Sequence, residues 1–279
     1  MGNINWLASY PKSGNTWTRL FLYNLLSNPE KPLDINSLSK RFVADSNKAW
    51  YEKAGNQPYD TYSIGQVINL RPKVHEILSN LNSGPVFVKT HSIYGTLYGV
   101  PLITPTFTAR AIYIIRNPLD VVISFSSHFG LTIDKAIEVI GDPNAANEEV
   151  SGKPHIRQHY GSWSGHANSW THFDRDRLHV MRYEDMLENP EETFQGMVKF
   201  LELDVSDDRL KKAIEFSSFD VARRQEDEYG FREQSGNDNR FFRSGKAGQW
   251  KEILSDKQIE KIIETHKVTM KYFGYLTEL

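Results

Sequence analysis

Four short stretches of this chain hold residue types whose spacing suits the handling of a strongly anionic group. The first is Tyr10-Pro11-Lys12-Ser13-Gly14-Asn15-Thr16-Trp17. A glycine-containing turn ahead of a helix aims backbone N–H groups and a helix N-terminus at one point. Lys12 adds a full positive charge, so a phosphate is the natural occupant. The Walker A pattern G-x-x-x-x-G-K-[ST] is not met, because Lys12 precedes Gly14 and no earlier glycine sits in the turn. The plainer reading is an ordinary strand-to-helix turn with an exposed lysine.

The second stretch pairs Arg116 with Ser124 across the start of a helix. An arginine leaving the carboxyl end of a strand and a serine about two turns along the next helix can grip one phosphate, the first as a fork of donors and the second as a hydroxyl. Taken alone, Arg116 serves equally well as a solvated strand end. The third is His91, which follows Lys89 and Thr90. Its unperturbed pKa suits it to take a hydroxyl proton near neutral pH. A lone histidine is also a common structural residue, and His128, four residues beyond Ser124 on the same helical face, is its rival. The fourth is Phe241-Phe242-Arg243-Ser244-Gly245-Lys246-Ala247-Gly248-Gln249-Trp250-Lys251. Cations, glycines and aromatics so mixed suit a flap that closes on an anion, and a solvated basic loop has the same composition.

The elements that must position these residues follow from hydrophobic spacing. Ile4 to Ser9 is a short, mostly apolar run, and Trp17, Leu20, Phe21, Leu25 and Leu26 have helical spacing, which predicts strand, loop, helix. A second such unit begins at Pro85-Val86-Phe87-Val88 and a third at Ala111-Ile112-Tyr113-Ile114-Ile115. In the third, Asn117 is the expected N-cap, Pro118 the first helical residue and Asp120 a first-turn acid. A fourth unit joins Leu178 to Arg182 with a helix opened by Asn189-Pro190, its apolar face formed by Phe194, Met197, Val198 and Leu201. The final helix is predicted to start at Ser255 with Gln258 as capping-box partner and Ile259, Ile262 and Ile263 turned inward. Strands alternating with helices predict an α/β fold, a central parallel sheet flanked by helices, with ligands at the carboxyl ends of the strands. Residues 131–160 and 223–247 read as long polar loops.

Composition narrows the function classes. With 39% apolar and 24% charged residues over 279 positions, the chain is expected to form one folded domain, residues 1–279. A net charge of −2 offers no global attraction for nucleic acid or anionic membrane, so an anionic ligand must be held by a local cluster. Zero cysteines exclude disulfides, thiolate metal sites and a cysteine nucleophile. No signal-peptide pattern opens the chain and no stretch of about eighteen apolar residues occurs, so a cytoplasmic location without a membrane span is expected.

In this order the four stretches resemble the 3′-phosphoadenosine 5′-phosphosulfate (PAPS)-dependent sulfotransferases of the cytosolic type, from Trp6 to about Lys251. The family's YPKSGTTW loop is matched except at Asn15, and its RNPxDxxxS pattern by Arg116, Asn117, Pro118, Asp120 and Ser124. Its KTH segment is matched by Lys89-Thr90-His91, its YED segment by Tyr183-Glu184-Asp185, and its TSF segment by Ser217-Ser218-Phe219. Its closing RKGxxGxWK loop is matched by Arg243, Gly245, Gly248, Trp250 and Lys251. The resemblance implies a P-loop-type domain that moves a sulfuryl group from PAPS to a hydroxyl or amine and releases adenosine 3′,5′-bisphosphate, with no metal.

It implies His91 as general base, Lys12 as stabiliser of the departing 5′-phosphate, and Lys89 with Thr16 at the sulfuryl oxygens. The nucleotide is expected among Lys12, Ser13, Gly14, Asn15, Thr16 and Trp17, with Arg116 and Ser124 at the 3′-phosphate. Tyr183, Ser217, Phe219 and Trp17 are expected near the base, and Phe241, Arg243, Ser244 and Gly245 on the closing loop. Ser244 replaces a family lysine, which predicts weaker PAPS binding. The family's dimerisation pattern KxxxTVxxxE is half present as Lys251 and Glu260, so oligomeric state stays open. The acceptor is expected to be a hydroxylated small molecule, lipid or peptide. A small-molecule kinase would need a Walker A loop and a Mg²⁺-binding acid, neither of which is read here. A non-catalytic module for adenosine 3′,5′-bisphosphate would have no use for Lys12 and His91.

Overall fold

The computed structural model describes residues 2–147, 154–234 and 240–276. Strand β1 (Ile4–Ser9) is buried along its whole length and is followed by helix α1 (Asn15–Ser27). The chain then passes through α2 (Leu38–Arg41), the two-residue strand β2 (Val43–Ala44), α3 (Lys48–Gly55) and α4 (Ile64–Ser79) before β3 (Val86–Thr90). A hairpin of β4 (Thr96–Leu97) and β5 (Val100–Pro101) leads to β6 (Thr108–Ile115), α5 (Pro118–Phe129), α6 (Ile133–Gly141) and α7 (Trp163–Thr171). After β7 (Leu178–Arg182) come α8 (Tyr183–Glu188), α9 (Pro190–Phe200), α10 (Asp207–Phe216) and α11 (Phe219–Tyr229). Helices α12 (Trp250–Ile253) and α13 (Asp256–Tyr272) complete the described chain.

The main sheet has the order β2-β3-β1-β6-β7, with every pairing parallel. Because side chains alternate along a strand, each one feeds two cores. Ile4, Trp6 and Ala8 point into a core shared with α4, α5, α7 and α13, and Leu7 points into one shared with α1, α9 and α10. Strand β1 lies between β3 and β6, so chain connections leave it towards both sides. That makes the carboxyl edge around β1 a switch point, where this architecture leaves a crevice for ligands.

Helix starts follow the expected chemistry. The Asn117 side chain accepts from Leu119 N at 3.0 Å with Pro118 at the first helical position. Ser255 and Gln258 form a complete capping box, Ile262 is buried, and Ile259 and Ile263 are partly buried against the core. Three expectations need correction. The predicted loop 131–160 contains α6, which Thr132 caps and whose Ala136, Ile137 and Ile140 are buried; the polar outer face hid its period. The predicted loop 223–247 begins inside α11, whose Arg, Gln and Glu residues are good helix formers and which stops at Gly230 with φ 70°. Residues 148–153 and 235–239 of these two stretches lie outside the described residues. The strict alternation also fails after β3. Residues 92–107 hold Gly95, Gly99, Pro101 and Pro105, which break a helix, and the chain forms the β4–β5 hairpin instead.

Candidate active site

Four parallel strands end at candidate residues. β1 leads into Lys12, β3 into His91, β6 into Arg116 and β7 into Tyr183. Lys12 has φ 68° and Gly14 φ 109°, a left-handed turn that delivers the chain to the N-terminus of α1. A Cβ on Gly14 would stand 2.8 Å from the Tyr183 ring, so glycine is needed there for space as well as for conformation. The Ser13 hydroxyl is buried with no hydrogen-bond partner among the described residues. The Lys12 ammonium lies 4.0 Å over the Phe241 ring.

Asn15, the departure from the family loop, faces the interior. Its Nδ2 donates to Leu7 O at 2.9 Å, and its Oδ1 accepts from Arg19 Nε at 3.1 Å. It therefore braces the loop against β1 through its side chain, and a direct side-chain contact with the nucleotide does not fit this placement. Trp17 packs edge-on to Tyr183 and Phe194.

Arg116 is buried. Its guanidinium donates to the carbonyls of Lys12 at 3.3 Å and Lys246 at 3.1 Å and lies 4.3 Å over the Tyr183 ring, while Nε has no hydrogen-bond partner among the described residues. It thus joins the first, second and fourth stretches. Asp120 does more than complement a helix dipole: its carboxylate accepts from Gly248 N at 2.7 Å and Trp250 N at 3.3 Å, tying the closing loop to α5. Glu226 on α11 secures the same loop by accepting from the backbone N–H groups of Phe241 and Phe242. Glu184 accepts from Asn117 N and from the Tyr275 hydroxyl, both at 3.0 Å.

His91 is placed by strand register. Ala8 pairs with Thr90, so the next residues along, Ser9 and His91, meet. His91 Nδ1 lies 2.8 Å from the Ser9 carbonyl oxygen. A carbonyl only accepts, so Nδ1 carries the hydrogen and Nε2 keeps a lone pair. Burial, and after it the charge of Lys89, holds the His91 imidazole well below its usual pKa, so it is neutral near pH 7. His166, absent from every motif, supports it. Its Nε2 donates to the His91 carbonyl at 3.2 Å, which leaves its Nδ1 to accept from the Tyr113 hydroxyl at 3.0 Å.

Lys89 Nζ stands 3.6 Å from Glu233, whose two carboxylate oxygens accept from Arg19 at 2.7 Å each. Burial alone would raise the Glu233 pKa, but Arg19 and Lys89 hold it far below the usual carboxylate range. Other expected residues are less engaged. Ser217 is buried and its hydroxyl donates to Ile214 O at 3.1 Å within its own helix end. Arg243 is exposed, with its carbonyl accepting from Arg223 at 3.0 Å. Phe219 lies against Gly245, where a Cβ would come within 2.4 Å of its ring. Ser244 and Ser124 are half-buried. His128 stacks edge-on to Phe129 and Phe241. Arg19, Glu233, Glu226 and His166 are the residues that sequence reasoning missed; each works through contacts distant in sequence. Among the described residues no acid or histidine cluster could hold a metal ion.

A P-loop-like turn, a neutral histidine and a buried arginine gather on one sheet edge, an arrangement suited to an anionic ligand. Comparison with known proteins gives the family. Residues 5–274 match the family model described as "Sulfotransferase domain", and the chain belongs to that family of PAPS-dependent transferases. Similar relatives include sulfotransferase 1 family member D1 of Mus musculus, 28% identical over 273 residues that span 95% of this chain and 82% of that protein. Sulfotransferase 1B1 of Canis lupus familiaris is 28% identical over 274 residues, with the same coverage. Among solved structures, mouse sulfotransferase SULT7A1 complexed with PAP aligns with TM-score 0.61 and 20% identity over 96% of this chain and 84% of the other. Retinol dehydratase in complex with androsterone and PAP gives TM-score 0.65 and 17% identity over 96% and 81%. The chain catalyses PAPS-dependent sulfuryl transfer on a parallel α/β scaffold.

Proposed function

We propose that His91 and Lys12 carry sulfuryl transfer from PAPS to a hydroxyl on an acceptor with an apolar body, with Lys89 at the transferred group. The observation that carries this reading is the bond from His91 Nδ1 to the Ser9 carbonyl, which leaves Nε2 of a neutral ring as a proton acceptor. The buried Ser13 hydroxyl and Arg116 Nε, neither with a hydrogen-bond partner among the described residues, support an anionic ligand between the ends of β1 and β6. When bound, PAPS supplies a sulfuryl group on a phosphate leaving group.

The chain's residues then divide the work. The N–H groups of Ser13 to Trp17 and the Lys12 ammonium hold the 5′-phosphate, and Arg116 with Ser124 holds the 3′-phosphate. Trp17, Tyr183 and Phe219 frame the base, with Ser217 nearby. Arg243, Ser244 and Gly245 close over it, and Asn15 acts from behind the loop. His91 Nε2 takes the acceptor's hydroxyl proton as the acceptor oxygen bonds to sulfur. Lys12 meets the charge left on the 5′-phosphate oxygen as its bond to sulfur breaks.

An apolar acceptor body is supported by the aromatic rings that lead away from Lys12. Phe241 touches Phe231 at 4.9 Å and His128, and Phe129 packs on Phe125 at 4.4 Å. Residues 1–279 are read as one sulfotransferase domain, and the cytoplasm as its compartment on the resemblance to cytosolic-type enzymes. No helix among the described residues is long and apolar enough to cross a membrane. A panel of phenols, alcohols, amines, glycolipids and peptides incubated with labelled PAPS and read by mass spectrometry tests the reading. Transfer to hydroxylated members is expected, whereas phosphoryl transfer from ATP with none from PAPS would replace it by a kinase.

A further inference from the structure

We propose that Glu233 and Arg19 are positioning residues for Lys89: the Glu233 carboxylate, clamped by Arg19, holds the Lys89 ammonium beside the sulfuryl-transfer point at the end of β3. The proposal rests on the sulfotransferase reading and adds two residues that lie in none of the motifs.

Arg19 sits on α1, one turn beyond Asn15, and its side chain is 1% exposed. A guanidinium so deep needs a counter-charge and a partner for each donor. Nε donates to Asn15 Oδ1, Nη2 donates to Thr16 Oγ1 at 3.0 Å and to Glu233 Oε2, and Nη1 donates to Glu233 Oε1. The two parallel 2.7 Å bonds fix the carboxylate in position and in plane, as only a planar fork can. Glu233 Oε2 is the oxygen that faces Lys89 Nζ.

A lysine side chain is flexible and its ammonium has no preferred direction, so an aimed lysine requires an aimed partner. Lys89 is also faced by Asp45 from the turn after β2, by His91 beyond its own strand, and by His155 from the segment before α7. Arg19 and Glu233 cancel, which leaves Lys89 as the surplus positive charge for an incoming anion. Arg19 is buried while Glu233 is 28% exposed, and separating a buried guanidinium from its bidentate carboxylate is costly, so the carboxylate stays when nucleotide binds. Burial pushes the Lys89 ammonium below its usual pKa, and Glu233 is the first group that pulls it back.

The test follows the Lys89 side chain directly by NMR titration in the ligand-free chain, in wild type, Glu233→Gln and Arg19→Lys. Loss of the carboxylate should move the Lys89 midpoint to lower pH. Calorimetry should find adenosine 3′,5′-bisphosphate bound within about threefold of wild type, and release of labelled sulfate from PAPS into water should slow by about 10–100-fold. In a Lys89→Ala background the same Glu233→Gln change should cost less than about threefold, because coupled residues are not additive. Arg19→Lys, which keeps the charge and loses the fork, should follow the pattern more mildly, and serves if Glu233→Gln folds poorly. An equal loss in both backgrounds, an unmoved Lys89 midpoint, or nucleotide binding tightened tenfold by Glu233→Gln would each overturn the proposal. Wild type that binds no adenosine 3′,5′-bisphosphate while its Lys89 midpoint still responds to Glu233→Gln would instead refute the sulfotransferase assignment of the site, and the proposal with it.

Discussion

Arg116 is held in place by two backbone carbonyls and the Tyr183 ring, none of which is a counter-charge, so its positive charge is left for a ligand. Arg116→Ala should therefore weaken binding of adenosine 3′,5′-bisphosphate by about 1.5–3 kcal/mol, the size of a charge-assisted phosphate contact. The same substitution should cost AMP, which lacks the 3′-phosphate, much less. Equal losses in calorimetry would remove Arg116 from that role. The placement of Arg116, His91 and Lys12 at strand ends was legible because each stands inside a short pattern that carries its own geometry. Arg19 was not legible, because its meaning comes from Glu233, 214 residues away. His166 was hidden in the same way: only the packing of α7 against the sheet brings the His91 carbonyl, 75 residues earlier, within its reach.

The elements separate what local chemistry determines from what contacts determine. The four sheet strands β1, β3, β6 and β7 were readable from short, mostly apolar runs, and the starts of α5 and α13 from their caps. Helix α6 was obscured by a polar outer face and a glycine at its end, and α11 by charges that read as loop. The region of α3 and α4 gave no motif, although Ser63 and Gln66 form a capping box that announces α4. Glu226 shows how an element governs the site. From α11 it takes the N–H groups of Phe241 and Phe242 with both oxygens, and it is 6% exposed. Glu226→Ala should leave those two N–H groups unpaired at a cost of about 1–3 kcal/mol felt locally. Hydrogen exchange at Phe241 and Phe242 should accelerate roughly 10–100-fold, and nucleotide affinity should fall with the loop's order. Unchanged protection of both amides would show that the loop stands without this anchor.

Across the whole molecule, two cores on one sheet bury several histidines in neutral form. Burial lowers the pKa of His75 and His91 well below the usual value, that of His166 to about 3 and that of His266 to about 4. The unfolded chain takes up protons at these residues below about pH 6.5, whereas the folded chain does so only at lower pH, so stability falls as pH drops through that window. Each group removes up to about 1.4 kcal/mol per pH unit there. The thermal midpoint should be lower at pH 5 than at pH 7 by roughly 5 °C or more, and a flat profile over that range would contradict burial of neutral imidazoles. The depressed His91 pKa also places the acid limb of activity below the usual histidine range, because the base must be unprotonated to act.

The most direct measurement of the central claim is turnover of His91→Ala at saturating PAPS and acceptor, taken together with its calorimetric affinity for adenosine 3′,5′-bisphosphate. A positioned base contributes about 10²–10⁴-fold, so turnover should fall by that factor while affinity stays within about threefold of wild type. Wild-type turnover in His91→Ala, with loss of activity in His128→Ala instead, would contradict the account and move the base to α5.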